Sequence, residues 1–176
     1  MTKVVYNISV LLFVVGILVG GVACGAINED LPTYEATSIV EVGDEAPDFT
    51  IALLDGRDVT LSELREESVL LIFFSHTCPD CKALFEDIKA ARADIEAQGV
   101  RVVAISRGGE EAEVREYADT NGFWFDVAVD GDCAVYNLYA TMYVPRAYML
   151  DKRGVVVCAT VEYASGHVAE LLASVN

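Results

Sequence analysis

Two cysteines separated by two residues, in Cys78-Pro79-Asp80-Cys81, are the side chains of this sequence best suited to chemistry. Thiols at this spacing interconvert between dithiol and disulfide, and so pass two electrons to or from another disulfide. Cys81, Leu84, Ile88, Ala91 and Ile95 recur at steps of three and four, which puts them on the apolar face of one helix. Cys81 therefore points inward, and Cys78 sits exposed at the helix tip. Pro79 suits the first helical turn, where a missing N–H is harmless. The free N–H groups and positive dipole end at that position favour a thiolate. Two other uses of such a pair are weaker. A zinc site wants a second pair of ligands, whereas Cys133 and Cys158 stand apart. A structural disulfide closing so short a loop restrains little of the unfolded chain.

The elements that must position this pair follow from the apolar pattern. The run Val69-Leu70-Leu71-Ile72-Phe73-Phe74 reads as a central strand buried on both faces, delivering His76, Thr77 and Cys78 at its end. The helix behind Cys81 ends at Gln98-Gly99, where glycine suits the cap. Residues 100–106 form the next buried strand, 110–121 a helix with Val114, Tyr117 and Ala118 inward, and 123–129 a strand with Trp124 in the core. Asp132 caps a helix carrying Val135, Leu138 and Tyr139. Residues 148–150 and 155–161 flank the polar turn Asp151-Lys152-Arg153-Gly154 as a hairpin, and a last helix from Ser165 sets Val168, Leu171, Leu172 and Val175 inward. Upstream, 38–42 adds a short strand, and Asp55-Gly56 turns a hairpin between 50–54 and 59–61. Strands alternating with helices, then a hairpin and a helix, predict an α/β mixed central sheet with helices on both faces. Sites in such sheets sit at the carboxyl ends of strands, which is where Cys78 falls.

The chain has 176 residues and a formal net charge of −16. That charge argues against nucleic acid as a partner and describes an acidic surface, expected on a monomer. Residues 1–23 read as a signal peptide: Lys3 precedes the apolar run 10–22, and small residues lead up to Cys24. The pattern resembles a bacterial lipoprotein signal, in which that cysteine is lipidated and becomes the new N-terminus. An uncleaved span of ~20 apolar residues is the competing reading. Residues 24–37 would then be a polar tether and 38–176 the domain, placed at the cell envelope, periplasmic or surface-facing.

Three segments together resemble the thioredoxin superfamily, and within it the membrane-tethered TlpA/ResA-like oxidoreductases on an AhpC/TSA-like framework. They are Gly43-Asp44-Glu45-Ala46-Pro47-Asp48-Phe49, Cys78-Pro79-Asp80-Cys81 and Tyr143-Val144-Pro145-Arg146-Ala147-Tyr148-Met149-Leu150. A strand–helix pair inserted between the last two adds to the match. The resemblance implies a thioredoxin-like fold with an extra N-terminal hairpin, and a cis Val144-Pro145 bond beside the disulfide. It implies that an extended substrate pairs with the backbone there. It also implies thiol–disulfide exchange with protein disulfides, fed by a membrane-embedded electron donor and needing no bound cofactor beyond the Cys78–Cys81 disulfide. His76-Thr77 replace the tryptophan usual before the first cysteine, Ile72 stands where many thioredoxins bury an acid, and Leu84 where ResA-like members have glutamate. The proton acceptor for Cys81 is thus left among Asp80, Glu86 and His76. Asp80 between the sulfurs is expected to favour a moderately reducing pair.

Two rivals come from other classes. A peroxiredoxin needs Pro-x-x-x-Thr-x-x-Cys, but Leu71 and Ser75 occupy those positions before Cys78. A Sco-type copper chaperone uses a wider cysteine spacing and a distal histidine, for which His167 is the candidate. Cys133 and Cys158 are expected to be unpaired structural thiols outside catalysis.

Overall fold

The computed structural model describes residues 31–175. The expected signal peptide, Cys24 and the first part of the expected tether lie outside these described residues. The compact unit begins at Pro32, and no helix among the described residues is long and apolar enough to cross a membrane. In chain order the elements are α1 (Tyr34–Thr37), β1 (Thr50–Ala52), β2 (Asp58–Thr60), a 3₁₀ turn (Leu61–Leu64), β3 (Ser68–Phe74), α2 (Pro79–Ala90), α3 (Arg92–Ala97), β4 (Val100–Arg107), α4 (Glu111–Thr120), β5 (Asp126–Asp130), α5 (Tyr136–Tyr139), β6 (Arg146–Leu150), β7 (Val156–Val161) and α6 (His167–Ala173).

Five strands form one sheet in the order β5-β4-β3-β6-β7, and β1 and β2 form a separate antiparallel hairpin. β3 is central and buried throughout. It runs parallel to β4 and antiparallel to β6. The alternation of its side chains divides the core. Leu70, Ile72 and Phe74 meet Cys81, Leu84 and Ile88 of α2, Val114 of α4 and Leu171 of α6. Leu71 and Phe73 meet Tyr136, Tyr139, Tyr148 and Val59 on the other face. Right-handed crossovers explain the layering: β3-α2-β4 and β4-α4-β5 step the same way across the sheet, so both helices fall on one face. The hairpin, the 3₁₀ turn and the short α5 cover the other. Helices thus lie on both faces, unevenly.

Several local expectations change. Residues 38–42 form no strand; Ser38 makes a single bridge to Ala140. The hydroxyls of Thr37 and Ser38 bond back to the Tyr34 carbonyl, and such local bonding competes with strand pairing. The long helix after Cys78 breaks at Ala91 (φ −87°, ψ 6°) into α2 and α3. Residues 123–125 precede the strand instead of belonging to it, and Trp124 is half-buried with the Arg92 guanidinium 4.7 Å above its ring. The cap of α5 comes from Asp130, not Asp132: the buried Asp130 carboxylate accepts the Val135 and Tyr136 N–H groups at 3.2 and 2.7 Å. Asp132 reaches only the Ala134 N–H, and Leu138 is exposed.

Cys133 packs against the tyrosine-bearing face of the sheet, Cys158 is buried on the opposite face, and both are free thiols. The sheet between them prevents a bridge, which needs Cα atoms within ~7 Å.

Candidate active site

β3 ends at Phe74, and Ser75-His76-Thr77 turns the chain so that Cys78 becomes the N-cap of α2 with Pro79 behind it. Cys78 Sγ accepts the Cys81 N–H at 3.4 Å, one of the donors that a helix start leaves free. Its thiol also points at the Val144 carbonyl, 3.6 Å away. Cys78 is partly exposed and Cys81 wholly buried, both as free thiols. The Val144–Pro145 bond is cis. Cys78, Cys81, Val144 and Pro145 are therefore brought together; Asp80 is exposed in the first turn of α2.

Burial pushes the Cys81 thiol well above its ordinary pKa; the Ser75 N–H, 3.4 Å from Cys81 Sγ, opposes this, and Cys78 and Asp80 add to it. Cys81 thus keeps its proton where an exposed thiol would begin to lose it. Above the unfolded cysteine pKa of about 8.5, the unfolded chain releases a proton that the folded dithiol retains, so stability falls as pH rises, by up to about 1.4 kcal/mol per pH unit. Below that pH the contribution is fully present. The reduced protein is therefore expected to lose more melting temperature between pH 8 and pH 10 than the oxidised protein, in which Cys81 cannot titrate. Parallel losses in the two forms would refute the assignment.

Among the described residues, none of Asp80, Glu86 and His76 is hydrogen-bonded to Cys81. Glu86 pairs with Lys89 at 2.5 Å. His76 turns to α4, with Nε2 3.6 Å from a Glu113 carboxylate oxygen, while its buried Nδ1 has no partner. Gly109 makes room for the ring: its φ is +95°, and a Cβ there would stand 3.3 Å from the imidazole. Sequence reasoning missed Glu113 here. It also took Tyr117 only as core. That half-buried phenol is pushed up to about 12, by burial first and then by the charges of Cys81, Glu86 and Cys78. Its ring packs on Phe74 and Phe85 with centroids 6.4 Å away, so α4 walls the dithiol. His167 accepts the Ala164 N–H at the start of α6. No group of three metal-ligating side chains occurs among the described residues.

A partly exposed cap thiol, a buried second thiol one turn along and a facing peptide edge, in a mixed sheet of this order, make the chain a thioredoxin-like thiol–disulfide oxidoreductase by class. Residues 42–159 match the model of the AhpC/TSA family, and the chain belongs to that family. The thiol-disulfide oxidoreductase ResA of Geobacillus thermodenitrificans is 30% identical over 123 residues, which cover 70% of this chain and 71% of that protein. The ResA of Bacillus subtilis is 28% identical over 118 residues, 67% of this chain and 66% of that protein. A solved Bacteroides thetaiotaomicron structure, provisionally assigned as a protein disulfide isomerase, superposes with a TM-score of 0.72 at 28% identity, covering 78% of this chain and 89% of that one.

Proposed function

We propose that this protein reduces disulfides of protein substrates outside the cytoplasm. The observation that carries the reading is Cys78 Sγ at the start of α2, 3.6 Å from the Val144 carbonyl. A substrate strand pairing with that backbone presents its disulfide to Cys78. The Cys78 thiolate attacks one substrate sulfur, and the other leaves as a thiolate that takes up a proton. Cys81 then gives up its proton and attacks Cys78, releasing the second substrate thiol and forming the Cys78–Cys81 disulfide. Two electrons and two protons pass to the substrate. Pro79 shapes the helix start, Asp80 restrains the oxidising power of the pair, and His76 and Thr77 line the approach. A membrane-embedded donor returns the electrons, and no bound cofactor takes part.

Insulin reduction driven by dithiothreitol, measured beside peroxide consumption and copper titration, tests this reading. Catalysed insulin reduction alone supports it; peroxide turnover without insulin reduction would replace it with a peroxidase, and stoichiometric copper binding without either with a copper carrier.

The same reading has Cys24 carry a lipid that holds the protein, as a monomer, at the cell envelope, with residues 1–23 removed. Cys24→Ala is expected to release the protein from membranes or leave it unprocessed. A variant that stays membrane-bound at the wild-type mass would favour an uncleaved span.

A further inference from the structure

The peptide edge opposite Cys78 is clasped by Ser38 and by residues that the sequence assigned to the tether. Arg146, next to Pro145, is 1% exposed, and its guanidinium donates to Thr37 Oγ1 at 2.6 Å, Ser38 Oγ at 2.8 Å and the Met142 carbonyl at 3.0 Å. None of these acceptors is a carboxylate. A buried cation must keep its hydrogen bonds, so Thr37 and Ser38 fix where the start of β6 lies.

On the other side of the Val144–Pro145 bond, Tyr143 has φ +72°, a conformation that persists only where the surroundings impose it. They do so here: the Tyr143 phenol donates to the Pro32 carbonyl at 2.8 Å, and its ring meets Tyr34 edge to face at 5.1 Å. The Tyr34 phenol donates in turn to the Glu162 carboxylate, and the Glu162 N–H donates to the Pro145 carbonyl at 2.8 Å. Contacts from residues 32–38 thus reach Tyr143, Pro145 and Arg146.

We infer that residues 32–38 are a positioning strap, which holds Tyr143–Arg146 where a substrate backbone can pair with Val144 and present its disulfide to Cys78. The inference rests on the reading of the protein as a reductase of protein disulfides. The strap acts through the peptide edge and touches neither sulfur, so its loss falls on substrates that need that edge. A small aromatic disulfide, with no strand to align, needs only an accessible Cys78.

Tyr34→Ala and Thr37→Val in the full-length protein test this, the second preserving shape while removing one acceptor of Arg146. Both are expected to lower kcat/KM for insulin roughly tenfold or more, because misplaced alignment is expensive in rate. Reduction of 5,5′-dithiobis(2-nitrobenzoate) is expected to change less than about twofold. Hydrogen exchange over residues 142–147 is expected to rise with no change over α2. This last readout needs no protein substrate, so it separates failure of the strap from failure of the reductase reading. Unchanged exchange in both variants would overturn the inference, as would equal losses with the two disulfides.

Discussion

Cys78→Ser is expected to lower disulfide exchange by roughly a thousandfold or more, the scale on which removing an enzyme's nucleophile acts. The change is unusually clean here. Cys78 serves as the N-cap of α2, with its sulfur accepting the Cys81 N–H. Serine is among the preferred N-cap residues, so its hydroxyl keeps the helix start while removing the nucleophile. Stability is therefore expected to move by less than about 1 kcal/mol while insulin turnover disappears. Cys81→Ser differs in kind: attack by Cys78 survives, and the product stalls as a mixed disulfide. Insulin turnover by Cys78→Ser within tenfold of wild type would place the nucleophile elsewhere.

The second large effect is on stability. Phe73 is wholly buried, with ring centroids 5.4, 5.1 and 6.2 Å from Tyr136, Tyr139 and Tyr148. It joins β3, which delivers the dithiol, to α5 and β6, which flank the Val144–Pro145 segment. Phe73→Ala removes the ring from a site walled by three tyrosines, and a loss of about 3–5 kcal/mol is expected. That corresponds to a drop of roughly 10 °C or more in melting temperature for a domain of this size. Thermal denaturation of the reduced protein measures it; a drop of less than a few degrees would show that the cavity collapses or fills with water.

What the sequence disclosed depended on the range of the interaction. β3, α2 and the inward turn of Cys81 were legible because periodicity and a helix-start proline are local signals. The Val144–Pro145 segment was legible only through resemblance, since no local pattern says what a proline before a strand will face. Tyr117 was hidden because a residue walling a thiol has the same helical spacing as a core residue. The Asp130 cap was hidden because Asp126, Asp130 and Asp132 are alike in sequence and only the fold selects one. Tyr34 and Glu162 lie 128 residues apart, so only the completed fold brings them together. The break at Ala91 had no proline or glycine to mark it.

Mixed-disulfide trapping distinguishes attack by Cys78 and resolution by Cys81 from the reverse order. Full-length Cys81→Ser and Cys78→Ser proteins are each mixed in reduced form with an oxidised protein substrate, quenched in acid and mapped by peptide mass spectrometry. A substrate adduct is expected on Cys78 in the first protein and essentially none on Cys81 in the second, where the sulfur is buried and holds its proton. An adduct on Cys81 in Cys78→Ser, with Cys78 unmodified in Cys81→Ser, would contradict it.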